Sequence, residues 1–278
     1  MATVTVPSSP VLSEAQFQRI RTLVHGLCGI SLGDEKQGLV QTRLARRLRQ
    51  LALADFGAYL EHVERDLSGQ ELTHLVDALT TNKTGFFREP EHFRFLQRQV
   101  LPRLDTPGVR LRLWSAGCSS GEEAYSLAIT LHEALPDAGR RDVRILATDI
   151  STAVLAQARE AVYGAKAVQE VPEGLLRRHF VRLRGLSPPA YRVHEQVRAM
   201  VHVARLNLVG SWPMRGPFQV IFCRNVMIYF DQRTRQELVQ RLWELLAPGG
   251  YLFVGHSESL ASLTHEFQFV QPAIYLKA

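Results

Sequence analysis

Trp114-Ser115-Ala116-Gly117-Cys118-Ser119-Ser120-Gly121-Glu122-Glu123 decides the fold of this 278-residue chain. Residues 109–115 read as a strand and residues 122–135 as a helix, so Gly117 and Gly121 stand where a buried strand turns sharply into a helix. The alternation continues outward. A strand is expected near 143–149, a helix near 152–161, strands near 200–206 and 218–223, and a helix at 232–246 that stops at Pro248-Gly249-Gly250. Residues 251–255 and 267–276 supply the closing strands. This order predicts an α/β fold, a doubly wound, Rossmann-like parallel sheet covered by helices. Phe180 to Leu183 and Tyr191 to Val193 flank the turn-rich Gly185-Leu186-Ser187-Pro188-Pro189, which predicts a small antiparallel β insertion over 174–198.

Before that core the period changes. From Ser13 to about Leu79 apolar residues recur at helical spacing, with Ser13 and Gln16 forming a capping box, which predicts an all-α domain over 1–80 ahead of the domain at 81–278. In QTRLARRLRQL, Leu44, Leu48 and Leu51 share one face, and Arg43, Arg46 and Arg47 occupy the other. Pro102, Pro107 and Gly108 break the chain before the first strand, and Pro90 sits at the first turn of a helix.

Composition narrows the function classes. With 46% hydrophobic and 22% charged residues the chain is globular, and no apolar run approaches the ~20 residues of a bilayer-spanning helix. The opening MATVTVPSSPVLSE has no export signature, so a cytoplasmic setting is expected. Cys28, Cys118 and Cys223 form no CxxC pair and the ten histidines no HExxH, so neither a disulfide framework nor a metal centre is expected. The net charge of +6 concentrates in residues 41–54 and 176–205, the latter with seven arginines against Glu195 alone.

Doubly wound sheets bind ligands at the carboxyl edge of their strands, where Gly117 and Gly121 lie. Their spacing is GxxxG, without GxGxxG or a following Gly-Lys-Ser/Thr, which excludes a P-loop and loses the dinucleotide fingerprint. Glu122 and Glu123 open the helix and would repel a diphosphate. Asp149, at the end of the second strand, can accept both hydroxyls of a ribose. A glycine turn, an acidic helix start and a ribose acid together fit S-adenosylmethionine, a cation without phosphate. Spacing alone leaves another nucleotide, or a sheet without ligand, as alternatives.

NKTGFFRE (82–89), WSAGCSSGEEAYSLA (114–128), ATDIS (147–151), RLNL (205–208) and FCRNVMIYF (222–230) together resemble the successive motifs of the chemotaxis receptor methyltransferases, the CheR family. The resemblance implies methyl transfer from S-adenosylmethionine to glutamate side chains on the cytoplasmic helical bundle of chemoreceptors, giving glutamyl methyl esters and S-adenosylhomocysteine. By motif position it puts Asn82, Thr84 and Arg88 around the methionine end of the cofactor. Glu123 matches the acid after the glycine turn, with Glu122 the less favoured choice, and Asp149 the ribose ligand. Asn207 and Leu208 fall by the adenine, Arg224 and Asn225 line the pocket, and Tyr229 puts its hydroxyl near the methyl group. Arg88 and Tyr229 would then orient the incoming carboxylate, which is already ionised at neutral pH and needs no base. Arg43, Arg46 and Arg47 suit docking of an acidic receptor. Family members that bind a carboxy-terminal receptor pentapeptide use a glycine-rich strand in the insertion; here Pro188 and Pro189 depart from it and cannot donate to an added strand. A nucleic-acid methyltransferase is disfavoured because Arg224-Asn225-Val226-Met227 replaces the Asn/Asp-Pro-Pro-Tyr/Phe motif, and a non-catalytic scaffold because Arg88, Asp149 and Tyr229 are retained.

Overall fold

The Ser13 hydroxyl accepts from the Gln16 backbone N–H at 3.3 Å while the Gln16 side chain accepts from the Ser13 N–H at 3.0 Å, so two orphan donors of the first helix are satisfied reciprocally. That helix, Glu14–Cys28 (α1), ends at Gly29 with φ +71°. A computed structural model describes residues 10–104, 110–135 and 141–278, and the chain divides into two units, Met1–Thr81 and Asn82–Ala278. The break read at Pro107 and Gly108 and most of the opening segment lie outside the described residues.

The described residues of the first unit also form three further α-helices, Gln37–Gln50 (α2), Phe56–Arg65 (α3) and Gln70–Leu79 (α4). Val40, Leu44 and Leu48 of α2 are buried, as the apolar spacing requires; Leu51, expected on the same face, is the half-buried C-cap. Asp55 caps α3 by accepting from the Ala58 N–H at 2.9 Å. The Arg47 guanidinium makes a two-pronged pair with Glu71 on α4, at 2.9 and 2.6 Å. Arg43 donates to the Leu79 and Thr80 carbonyls at 2.8 and 3.0 Å, closing the carbonyl end of α4 with a cation.

In the second unit, Pro90–Phe95 (α5) starts with proline in its first turn, and Leu101–Leu104 (α6) precedes the sheet. Leu111–Ala116 (β1), Glu122–Ala134 (α7), Val143–Asp149 (β2) and Thr152–Glu160 (α8) follow the expected alternation. Next come Val162–Gly164 (β3), Glu173–His179 (α9), Phe180–Arg182 (β4), Ala190–Val193 (β5) and Glu195–Arg198 (α10). Val201–Arg205 (β6), Phe218–Cys223 (β7), Gln232–Leu245 (α11), Leu246–Val254 (β8), Gln268–Gln271 (β9) and Ile274–Leu276 (β10) complete the unit. The seven-stranded sheet has the order β6-β2-β1-β7-β8-β10-β9, with β6, β2, β1, β7 and β8 mutually parallel. Its order reverses beside β1, so the loop after β1 opens at the switch point where such sheets take ligands.

Three expectations need correction. The closing segment is a hairpin of β9 and β10, with β10 antiparallel to β8, because the chain turns at Ala273 with φ +65°. Strand β8 begins at Leu246 and not after Gly250: the Gly249 N–H donates to the Lys277 carbonyl and the Lys277 N–H to the Gly250 carbonyl, so the Pro-Gly-Gly stretch is held in the sheet edge as a bulge. The antiparallel insertion recruits β3 from outside 174–198, in the order β3-β5-β4. Pro188 and Pro189 fall in the turn between β4 and β5, outside the three strands.

The sheet is buried in the manner of parallel sheets. Leu113, Trp114, Ile145, Val220 and Phe222 are completely inaccessible, and the Trp114 indole N–H donates to the Thr148 hydroxyl at 2.8 Å.

Candidate active site

The chain leaves β1 through a loop whose backbone is fixed from both sides. Gly117 and Cys118 donate their N–H groups to the Thr148 carbonyl, both at 2.8 Å, tying the loop to the end of β2. Gly117 has φ +86°, and a Cβ there would lie 2.3 Å from the Val226 side chain, so only glycine lets the β1 and β7 loops approach this closely. Gly121, at φ +97°, begins α7 against the Tyr163 hydroxyl, which itself donates to the Ser120 carbonyl at 2.8 Å.

Asp149 ends β2 beside this loop. One carboxylate oxygen accepts from the Ser119 N–H at 2.9 Å, and the other from the Ser151 N–H at 3.0 Å. The Ser119 hydroxyl donates to the Asn82 carbonyl at 3.1 Å, which brings the 82–88 segment, including Thr84, onto the glycine loop. Asn207 and Leu208 follow β6 on the same sheet edge, since the Leu206 N–H donates to the Asp149 carbonyl. Arg241 fixes that turn by donating to the Leu208 and Gly210 carbonyls and by stacking 3.6 Å from the centre of the Trp212 ring.

Arg224 is the charged centre of the site. Its side chain is 1% exposed and lies 3.0 Å from Glu89 and 3.2 Å from Glu123, while it donates to the Arg88 carbonyl at 2.6 Å. Phe93 and Phe222 pack on its guanidinium at 5.7 and 5.6 Å. Glu123 also accepts from the Ser115 hydroxyl at 2.6 Å. Burial pushes the Glu123 carboxyl up, outweighing the opposing pull of Arg224 and Ser115. At Glu89 burial acts in the same direction, yet Arg224 outweighs it and holds the carboxyl below the usual range. Glu122 is buried against the Ser120 hydroxyl at 2.7 Å, and burial pushes its carboxyl up as well. The helix start is therefore less anionic than two adjacent glutamates imply, because Arg224 compensates one and burial favours protonation of the other.

Arg88 is followed at once by Glu89 in the sequence, yet the two do not pair. Instead, Arg88 donates to the Lys83 carbonyl at 2.9 Å and Arg224 takes Glu89. Asn225 and the 3₁₀ turn Met227–Tyr229 follow β7 directly, with Tyr229 half-buried. Four of the residues with left-handed backbone, Phe87, Glu89, Ser119 and Asn225, fall within these loops, a concentration of strain that active sites commonly show. Cys118 and Cys223 are buried free thiols that burial holds neutral, consistent with packing.

Sequence reasoning missed Ser115, Glu89 as the partner of Arg224, and Glu258. It also missed His92, which is fully buried between Phe222 and Phe253 with its Nδ1 3.5 Å from Glu89. Glu89, His92 and His256 bring possible metal-ligand atoms within 4.8 Å of one another, but Arg224 already supplies the cation there. In the helical unit Arg46 is exposed, whereas Arg43 and Arg47 are half-buried and engaged as described above. No helix among the described residues is long and apolar enough to cross a membrane.

Two family models match the chain in sequence order: "CheR methyltransferase, all-alpha domain" over residues 15–80, and "CheR methyltransferase, SAM binding domain" over residues 82–276. Chemotaxis protein methyltransferase 2 of Pseudomonas aeruginosa is 43% identical over 94% of this chain and 92% of its own length. The chemotaxis protein methyltransferase of Escherichia coli is 42% identical over 95% of this chain and 91% of its own. Among solved structures, the methyltransferase domain of bacterial CtHen1 aligns with a TM-score of 0.36 at 16% identity, covering 60% of this chain and 64% of that one.

Proposed function

This chain belongs to the CheR methyltransferase family, and from that premise we propose that it esterifies glutamate side chains on the cytoplasmic helical bundle of chemoreceptors. It is a chemotaxis protein methyltransferase that uses S-adenosylmethionine, which when bound supplies a sulfonium methyl group. The donor set fits that group: Asp149 and Glu123 offer carboxylates on either side of the loop in which the Gly117 and Cys118 N–H groups are tied to the Thr148 carbonyl.

We assign Asp149 to the ribose hydroxyls, Glu123 and Asn82 to the methionine end with Thr84, and Asn207 with Leu208 to the adenine. Gly117, Arg224 and Asn225 line the pocket. Arg88 orients the incoming carboxylate and Tyr229 steers it, leaving the carboxylate oxygen as the nucleophile. A tight arginine pair would stabilise the ground state as well as the transition state, so the role of Arg88 is alignment to within ~3 Å of the methyl carbon. The new bond joins carboxylate oxygen to methyl carbon as the sulfur–methyl bond breaks, leaving a neutral ester and a neutral thioether. Exposed Arg46 is the docking residue best supported, since Arg43 and Arg47 already hold α4.

The observation that carries this reading is the linkage of separate motifs at one strand edge: Asn82 to Ser119, Ser119 to Asp149, and Arg88 through Arg224 to Glu123. Labelled S-adenosylmethionine is incubated with the enzyme and receptor fragments, and the product is treated with mild base. Release of the label as methanol is expected for a carboxyl ester; label that survives base overturns the assignment.

A further inference from the structure

Glu258 lies just beyond β8, is 6% exposed, and points its carboxylate into the loop that follows β7. One oxygen accepts from the Asn225 N–H at 2.7 Å and from the Gly255 N–H at 2.6 Å, and the other from the Ile228 N–H at 3.2 Å. Three amide donors converging on one buried carboxylate form an anion nest built from two separate segments. The clamped turn carries Asn225 in the left-handed region, at φ +58°. Gly255 keeps the other side of the nest open: a Cβ there would lie 2.4 Å from the Asn225 side-chain nitrogen and 2.8 Å from the Glu258 carboxylate.

We propose that Glu258 is a positioning residue for methyl transfer, holding the 225–229 turn so that Asn225 and Tyr229 face the reacting groups. The inference rests on the assignment of those two residues to the pocket. Glutamine cannot replace it. Its single carbonyl oxygen can serve Asn225 and Gly255, but its NH₂ group then meets the Ile228 N–H, donor against donor.

The test compares the wild-type chain with Glu258→Gln, Gly255→Ala, Tyr229→Phe and the Glu258→Gln/Tyr229→Phe double variant. Amide hydrogen exchange, which needs no substrate, is expected to speed up at least tenfold at Ile228 in Glu258→Gln. Exchange within twofold of wild type in both Glu258→Gln and Gly255→Ala overturns the clamp, whatever the enzyme methylates. In receptor methylation per folded molecule, Glu258→Gln is expected to lower kcat at least tenfold while the Kd for S-adenosylhomocysteine changes less than threefold. Introduced into Tyr229→Phe, the same change is expected to cost less than threefold, because the two residues act through one turn. A kcat within twofold of wild type, or the same fold-loss in both backgrounds, overturns the positioning role. Absence of wild-type receptor methylation counts against the proposed function and leaves the exchange result to decide the clamp.

Discussion

Replacing Arg224 by methionine keeps an unbranched stem of similar length against Phe93 and Phe222 but deletes the charge between Glu89 and Glu123. Those side chains are 13% and 12% exposed, so water cannot take over from the guanidinium. Removing one partner of a buried ion pair costs about 3–5 kcal/mol. The stranded carboxylates have one way out. Protonating a glutamate of ordinary pKa at pH 7 costs about 4 kcal/mol, which bounds the penalty per group. In the variant the folded-state pKa of the stranded acid rises above its unfolded value, so the folded state binds the extra proton and stability rises as pH falls. The expected loss is therefore about 3–5 kcal/mol at pH 7, shrinking by about 1.4 kcal/mol per pH unit toward pH 5.5 for each proton taken up. Trp114, Trp212 and Trp243 all lie in the Asn82–Ala278 unit, so urea unfolding followed by tryptophan fluorescence reports on that unit. A loss below ~1 kcal/mol at pH 7, or one that does not change with pH relative to wild type, would refute the reasoning.

Three further outcomes are expected. Asp149→Ala removes both the proposed ribose acceptor and the partner of the Ser119 and Ser151 N–H groups, so calorimetry should find S-adenosylhomocysteine binding weakened at least tenfold, and an unchanged Kd would contradict the ribose assignment. Arg46→Glu should raise the receptor KM, with an effect that fades in high salt, and leave the cofactor Kd unchanged; an unaltered receptor rate would remove the docking role. Burial, with help from Arg224, pushes His92 down to about 3, so the unfolded chain takes up a proton near pH 6.5 that the folded chain refuses until far lower pH. Stability held above pH 6.5 should therefore drain away on acidification, by about 2 kcal/mol between pH 6.5 and 5, and His92→Phe should lack this part of the slope. Matching pH dependence in the two proteins would rule the histidine out as its source.

The sequence carried the parts of this fold that are written locally. Strand β2 and the loop that follows β1 were legible because buried strands and glycine turns are fixed by their own residues and immediate neighbours. Strand β8 was cut short in the sequence reading because proline and glycine normally end a strand, whereas here the Lys277 backbone holds that stretch from the far end of the unit. The same limit governs the site. Asp149, Gly117 and Glu123 could be picked out because each sits at a strand or helix end. The pairing of Glu89 with Arg224 could not, because 136 positions separate Arg88 from Arg224 and only the closed sheet brings the two loops together. Glu258 had one usable signal, an acidic residue just past the carboxyl end of a core strand, the edge already marked by Gly117 and Asp149. Nor can a local arginine count distinguish a docking face from a structural one: Arg43 and Arg47 satisfy α4, while Arg46, between them, is exposed.

A crystal structure with S-adenosylhomocysteine tests the central claim most directly. The account predicts the ligand over Gly117, with its ribose on Asp149, its adenine beside Asn207 and Leu208, and its sulfur facing the Asn225 to Tyr229 turn. Density for the ligand at any other edge of the sheet, or a cleft filled by the protein's own side chains at saturating ligand, would contradict it.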